Sequence, residues 1–245
     1  MKVEEVIREK PHLKSPLELY DKVKNFVEFC KNEKERLNLD TSTDLFDVVL
    51  RNFSSLFSIP YDSISFLKDE ILRAGIDPVK IPSSLLLMEI QTDDLSKEEI
   101  SRMFFILSKP FFVFLRKDGV EASFMETGKC PICGTDSSIS MITGNNERVI
   151  ICPMCEHGGS FYRIGCPYCF NRNPDRIEML LDDEEIRIEH CLECSTYVKS
   201  FRENHFFKYK NPFLIDIVSL PLDIIAQKRG FIRRSPNYIG LRIIE

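Results

Sequence analysis

The sequence lacks the basic excess of a nucleic-acid binder. Lys and Arg total 33 against 38 Asp and Glu, a formal net charge of −5 at pH 7, whereas affinity for a phosphate backbone comes from clustered Lys and Arg. Only Lys228, Arg229, Arg233 and Arg234 gather into a short basic cluster. It reads as a solvated face, with an anionic ligand or acidic partner as the alternative. A membrane span is also missing. The greasiest run, Met103 to Leu115 with Phe104, Phe105, Phe111, Phe112 and Phe114, is interrupted by Lys109 and Pro110. It falls short of the ~20 residues needed to cross a bilayer, so it is expected to be a buried helix with no membrane contact. The start, Met1-Lys2-Val3-Glu4-Glu5-Val6, mixes charges where a secretory signal would be basic and then apolar. A cytoplasmic, reducing setting is therefore expected, and structural disulfides are disfavoured there. Residues 1–125 contain no paired acids, nucleophile elbow or phosphate loop. No catalytic residues are assigned, and the chain is not expected to be an enzyme.

What is abundant is cysteine, in one place. Eight of the nine cysteines fall into four Cys-x-x-Cys pairs: Cys130/Cys133, Cys152/Cys155, Cys166/Cys169 and Cys191/Cys194. Two cysteines three apart on a tight turn aim both sulfurs at one centre, and two such turns complete a tetrahedral four-thiolate site. Eight thiolates make two sites, and filling both with divalent ions brings the net charge to about −9. The ninth, Cys30, continues the helical stripe Leu17, Tyr20, Val23, Val27 and is expected to be a small buried hydrophobe.

The chain divides by pattern. Residues 1–125 read as a helical domain. Ser15-Pro16-Leu17-Glu18 has the form of a capping box with Pro at the first helical position. Further helices are expected over Thr43–Phe57, over Asp62–Ala74 with a stop at Gly75 and Pro78, and over Ser84–Gln91. Another opens at Ser96-Lys97-Glu98-Glu99 and runs into the Phe-rich segment, where Pro110 must bend or split it. From 126 the apolar residues alternate, and a unit repeats: knuckle, strand, turn, strand, knuckle, strand. Cys130 to Cys166 is 36 positions and Cys152 to Cys191 is 39. The turns fall at Gly144-Asn145-Asn146 and Asp182-Asp183, and strands are expected at Ser160–Ile164, Arg176–Leu181, Glu185–His190 and Tyr197–Arg202. The fold class is thus α+β: a helical domain (1–125), two tandem four-cysteine modules of rubredoxin-like or zinc-ribbon-like type (126–165 and 166–210), and a C-terminal helix and tail (211–245). The helix starts near Phe213 or Ile215, contains an awkward Pro221 and ends at Gly230.

Pairing of the knuckles is expected within each repeat, Cys130, Cys133, Cys152 and Cys155 for one metal and Cys166, Cys169, Cys191 and Cys194 for the other. The ten residues between Cys155 and Cys166 leave an interleaved arrangement open. Modules this small have little apolar core, so metal would supply much of their folding free energy. All-thiolate tetrahedral ligation admits zinc or iron, and four protein ligands leave no open position for metal catalysis. His157 and His190, beside ligand cysteines, are read as second-sphere or surface residues; His12 and His205 carry no signal. Thiol–disulfide catalysis is disfavoured, because such motifs come singly at a helix start.

The residues around the cysteines resemble a known family, the FdhE-type formate dehydrogenase accessory proteins. The resemblance rests on Cys130-Pro131-Ile132-Cys133-Gly134, on Cys152 and Cys155 with Arg163 ahead of Cys166-Pro167-Tyr168-Cys169, and on Glu189-His190-Cys191-Leu192-Glu193-Cys194 followed by Tyr197 and Lys199. It continues through Asp216-Ile217-Val218-Ser219-Leu220, Leu222-Asp223 and Gly230-Phe231-Ile232-Arg233. It covers about 125–235. Departures are the absence of the tryptophan that often precedes Arg163, with Gly159 in its place, and Phe170 and Ser195 where glycine commonly follows a knuckle. The resemblance implies a cytoplasmic helper that acts on a formate dehydrogenase catalytic subunit, a molybdopterin enzyme, and carries two metal ions, zinc or iron, on the eight cysteines. Asp216, Ser219, Leu220 and Asp223 become candidates for a partner-facing element, with a helix packed structurally on the metal modules as the alternative. The competing readings are a rubredoxin-like iron protein that passes electrons and a zinc-ribbon nucleic-acid binder.

Overall fold

The structure is a computed structural model that describes residues 1–37, 42–65, 97–115 and 122–242. Its contacts divide into two units, residues 21–115 and residues 1–20 with 116–245.

The first unit is helical. It contains most of α2 (Lys14–Leu37), α3 (Ser42–Phe57) and α4 (Lys97–Leu115). The stripe expected on α2 is buried, Cys30 included, and burial pushes the Cys30 thiol up to about 12. It packs through Phe26 edge-on against Phe53, with ring centroids 5.6 Å apart, and Phe46 of α3 stacks on Phe111 of α4 at 5.7 Å. Helix α4 is continuous through Pro110 rather than split by it. Helix α2 begins at Lys14, ahead of the Ser15 box, because a 3-10 turn over Pro11–Leu13 feeds directly into it. The helix expected over Asp62–Ala74 is helical as far as it is described, to Ser65; its remainder, the helix expected over Ser84–Gln91 and the Ser96 cap lie outside the described residues.

The second unit holds the eight paired cysteines. A short helix α1 (Val3–Glu9) precedes the strands β1 (Ile139–Ile142), β2 (Arg148–Ile151), β3 (Gly158–Phe161), β4 (Ile177–Leu181), β5 (Arg187–Cys191) and β6 (Thr196–Arg202). Helices α5 (Glu203–Tyr209), α6 (Pro212–Val218) and α7 (Leu220–Lys228) follow, then β7 (Ile232–Arg233). Each repeat folds as an antiparallel meander. The meanders do not stand apart: β1 and β6 pair in parallel, giving the order β3-β2-β1-β6-β5-β4. Strand β6 shares that long edge, its first half taken by β7 and its second by β1. With neighbours on both edges, β6 is buried from Thr196 to Phe201. Side chains reinforce the seam. Tyr168, inside the third knuckle, donates to the Ser137 carbonyl and shares a 2.7 Å bond with Ser138. Ser140 of β1 meets Ser200 of β6 at 2.7 Å, and fully buried Arg148 of β2 reaches the Gly165 carbonyl and Glu189 of β5.

The expected single C-terminal helix is two. Asn211 caps α6 by accepting from the Phe213 and Leu214 N–H groups. The helix then breaks at Ser219, whose hydroxyl donates back to the Ile215 carbonyl at 2.7 Å. Pro221 falls in the first turn of α7, where no intrahelical donor is required, so it opens a helix instead of interrupting one. Gly230, at φ +82°, lies just past its end.

Candidate metal centres

Each knuckle uses the same backbone device. The residue after the second cysteine turns into the left-handed region, at Gly134 (φ 73°), Glu156 (62°), Phe170 (59°) and Ser195 (56°), and donates its N–H back to the first cysteine's carbonyl at 2.8 to 3.1 Å. Glycine tolerates this backbone freely, while an L side chain is strained there. Phe170 and Ser195 therefore meet the same backbone demand that glycine satisfies at 134.

The four turns bring together two sets of sulfurs: Cys130, Cys133, Cys152 and Cys155, and Cys166, Cys169, Cys191 and Cys194. In each set all sulfurs lie within 4.8 Å of one another. The closest approaches are 3.4 Å (Cys130–Cys155), 3.5 Å (Cys133–Cys152), 3.5 Å (Cys166–Cys194) and 3.6 Å (Cys169–Cys191). A tetrahedron with metal–sulfur bonds of about 2.3 Å has sulfur–sulfur edges of about 3.8 Å, so both sets fit a four-thiolate ion. The pairing is local in each repeat.

The thiol electrostatics are uneven within each set, with some cysteines lowered and others raised. Hydrogen bonds from Cys130, Cys152 and Cys155 hold the Cys133 thiol far below its ordinary range, while burial pushes Cys152 up. In the second set, burial raises Cys194, but hydrogen bonds from the Thr196 hydroxyl and N–H outweigh it and leave the group lowered. Donors aim at ligand sulfurs as well, the Tyr168 N–H at Cys166 (3.4 Å) and the Asn171 amide at Cys191 (3.8 Å). The two sites differ in exposure. The first buries three of its four cysteines, while in the second Cys169 is exposed.

The histidines stay outside both sulfur sets. His157 lies 2.9 Å from the Ala122 carbonyl and stacks on Phe124; His190 stacks on Phe231 at 3.6 Å. Gly159, where a tryptophan was the comparison, admits no side chain, since a Cβ there would lie 2.2 Å from the Ala122 carbonyl oxygen. Arg163 donates to Asn146 at 2.9 Å.

The candidate partner-facing residues lie inside the molecule. Asp216, Ser219, Leu220 and Asp223 are 0%, 2%, 5% and 0% exposed. The two carboxylates belong to a buried ion quartet. Lys199 of β6 contacts Asp216 (2.8 Å) and Asp223, and Arg233 of β7 contacts Asp216 (2.7 Å) and Asp223 (2.8 Å). Tyr197 donates to Asp223 at 2.8 Å, and Lys199 also donates to the Asp216 carbonyl at 2.9 Å. Burial opposes ionisation of Asp216, but Arg233 and Lys199 outweigh it and hold the carboxyl below its usual range. Arg233 thus leaves the basic cluster read from sequence and turns inward, and Arg234 lies over the Tyr168 ring at 5.3 Å. Strand pairing brings Tyr197 and Lys199 to α6, α7 and β7, a long-range assembly with no local sequence signal.

The arrangement defines a class: two small β modules fused into one sheet, each closing four thiolates, with the C-terminal helices clamped onto β6 by buried ion pairs. A family model described as "FdhE, C-terminal domain" matches residues 150–239. A "Protein FdhE homolog" of Aquifex aeolicus is 26% identical over 206 residues, covering 80% of this chain and 71% of that protein. A Haemophilus influenzae protein of the same name is 33% identical over 115 residues, covering 44% of this chain and 37% of its own. The crystal structure of the FdhE protein from Pseudomonas aeruginosa superposes with a TM-score of 0.57 at 21% identity, covering 80% of this chain and 70% of that one. Residues 150–239 thus match the FdhE C-terminal domain, and the chain is similar to FdhE proteins over most of its length.

Proposed function

We propose that the protein is a non-enzymatic accessory factor that binds a formate dehydrogenase catalytic subunit in the cytoplasm and supports its assembly or activation, with two metal ions held by the eight cysteines. The observation that supports it is the FdhE C-terminal domain match over 150–239, which spans six of the eight clustered cysteines and all four members of the ion quartet. No helix among the described residues is long and apolar enough to cross a membrane. The test is co-purification with apo and mature forms of a formate dehydrogenase or related molybdopterin subunit. Binding to neither form removes the proposal.

One observation favours a second reading, electron transfer through iron. Cys169 is exposed, so a redox ion in the second set would have a ligand sulfur at the surface. Protein purified without oxygen that is colourless, with about two zinc and no iron per chain, rules this out.

A further inference from the structure

Arg163 carried part of the family resemblance, yet it belongs neither to the metal centres nor to the ion quartet. The strand register shows what surrounds it. Side chains alternate along β6. Tyr197 and Lys199 face the helices, and Val198, Ser200 and Arg202 face the other way. On that second face Ser200 pairs with Arg187 of β5, while Arg202 pairs with Ile142 of β1, which pairs in turn with Arg148 of β2. Arg148, Arg187 and Arg202 therefore share one face and come from strands of both repeats. The segment after β3 crosses this face, because the Gly165 carbonyl accepts from Arg148 at 2.8 Å. It brings Arg163 to the other three. Burial first, then the charges of Arg187, Arg148 and Arg202, hold the Arg163 guanidinium below its usual range, with Glu189 opposing.

Few anions answer this cluster. Buried Glu189 contacts Arg187 at 3.1 Å and Arg148 at 3.3 Å, and Glu185 lies 4.0 Å from Arg202. Two carboxylates in the adjoining turns are taken up by main-chain donors, Asp182 by the Glu184 and Ile186 N–H groups and Glu203 by the Gly144 N–H. On this face, four arginines against two glutamates leave a surplus of two positive charges. Donors are in surplus as well. Arg163 uses its Nε on Asn146, and Arg187 and Arg202 turn theirs to Glu189 and Glu185. Among the described residues no hydrogen bond takes the Nη groups of these three arginines, and the buried Nη2 of Arg148 makes none either. A chain of net charge −5 thus gathers cations where solvent only partly reaches, with Arg163 and Arg187 half-buried and Arg202 exposed. Like charges so placed cost free energy that a bound anion returns.

We propose that this face binds a dianionic phosphate group, as the free ion or as a monoester, with Arg163, Arg187 and Arg202 as the contacting residues. A surplus of two positive charges matches a dianion better than a single carboxylate. The guanidinium fork presents paired donors that fit phosphate oxygens, and the unused Nη groups are the donors the ligand takes. Arg148 is the floor of the site. It braces Glu189, which holds Arg187, and the Gly165 carbonyl, in the segment that carries Arg163. Because the residues come from both repeats, the site exists only in the fused sheet. It does not depend on any contact with a formate dehydrogenase subunit.

The test is calorimetric titration of the full metal-loaded chain, without free metal and at low ionic strength, with inorganic phosphate and separately with glycerol 3-phosphate. Acetate is the control anion. Saturation at one phosphate per chain is expected, with acetate at least about tenfold weaker. Binding of the ester alone, or of the free ion alone, supports the site and names the source. Arg163→Gln and Arg202→Gln change side chains that are half-buried and exposed, so metal content should not change. Each is expected to weaken phosphate binding roughly tenfold. Arg163→Lys keeps the charge but loses the fork, and should weaken it less than Arg163→Gln. Urea unfolding gives a readout that a merely structural arginine would not. Without phosphate, Arg163→Gln should unfold at a midpoint equal to or above that of the wild type, because a like charge is gone. Phosphate should then raise its midpoint less than it raises the wild type's. A wild type with no saturable phosphate binding overturns the proposal. So does acetate binding as tight as phosphate binding, or phosphate binding unchanged in both glutamine variants.

Discussion

Lys199→Met tests the ion quartet that holds the C-terminal helices to the sheet. The four charges of Lys199, Arg233, Asp216 and Asp223 sum to zero, and all four side chains are buried to within 1% of complete. Methionine keeps the length of the stem and removes the cation. It leaves one uncompensated buried carboxylate, and the Asp216 carbonyl loses its 2.9 Å donor. Removing one member of such a buried pair costs about 3–5 kcal/mol. With a urea slope of about 2 kcal/mol per molar, the midpoint falls by roughly 2 M. The assay is urea unfolding of the beta-rich unit by tyrosine fluorescence, at a fixed excess of metal so that ligation is common to all variants. The companion is Lys199→Met with Asp223→Asn, which leaves Arg233 bidentate on Asp216 in a neutral pair. Its cost is expected to be about 2 kcal/mol less than the sum of the two single changes. A Lys199→Met cost under about 1 kcal/mol, or additive costs, refutes the view that charge neutrality governs this cluster.

Ser195→Gly should stabilise the chain by about 0.5–1 kcal/mol, read as a raised urea midpoint, because Ser195 is exposed and held at φ 56°. Gly128→Ala should do the reverse and expose the third knuckle to proteolysis, since a Cβ at Gly128 would lie 1.8 Å from the Pro167 carbonyl oxygen. Cys133→Ser should lower bound metal from about two ions per chain to about one, and chelation should abolish the far-ultraviolet β signal, both followed by metal analysis and circular dichroism. Burial pushes Glu184 up, but hydrogen bonds from Lys10, Tyr209 and Lys208 outweigh it and hold it at about 2, below the ordinary 4.5. A depressed carboxylate contributes its stability above the unfolded value. The wild-type advantage over Glu184→Gln should therefore be full above pH 4.5 and vanish as pH falls toward 2, measured as a difference in midpoint so that acid loss of metal cancels.

The local features were legible because they are written in short-range pattern. Helical spacing marked the buried face of α2, and knuckle spacing marked both sulfur sets. The turns at Gly144-Asn145-Asn146 and Asp182-Asp183 placed the hairpins, where Asn146 and Glu185 now stand at φ 61°. The parallel pairing of β1 with β6 was not legible: Ile139 meets Lys199 across sixty positions of chain, and nothing in either strand names the other. The cross-repeat contacts of Tyr168 and Arg148 were not legible for the same reason. Proline misled twice. Pro110 sits inside a continuous helix, and Pro221 opens one, because its effect depends on whether the missing donor was needed.

Apart from Arg163, the polar residues that carried the family resemblance beyond the last knuckle prove to be one object. Tyr197 and Lys199 lie on β6, Asp216 and Ser219 at the end of α6, Asp223 on α7 and Arg233 on β7, and they converge within hydrogen-bonding distance. Recognition by sequence therefore followed an internal clamp. A buried neutral cluster of this kind is costly to break at a single member. It fixes α6 and α7 on β6, the strand that begins at Thr196, two residues after Cys194, the last member of the second set of cysteines. Metal ligation and helix docking are thus linked through a single strand. Contacts with another protein have to be made by exposed residues. Among the described ones these include Cys169 and Phe170 at the third knuckle, Phe207 on α5 and the open edge of β4. Substituting Phe207, 65% exposed, by Ser should leave metal content and the urea midpoint unchanged. A loss of binding to a formate dehydrogenase subunit in that variant, with folding intact, would place the partner contact on the exposed surface and not on the internal clamp.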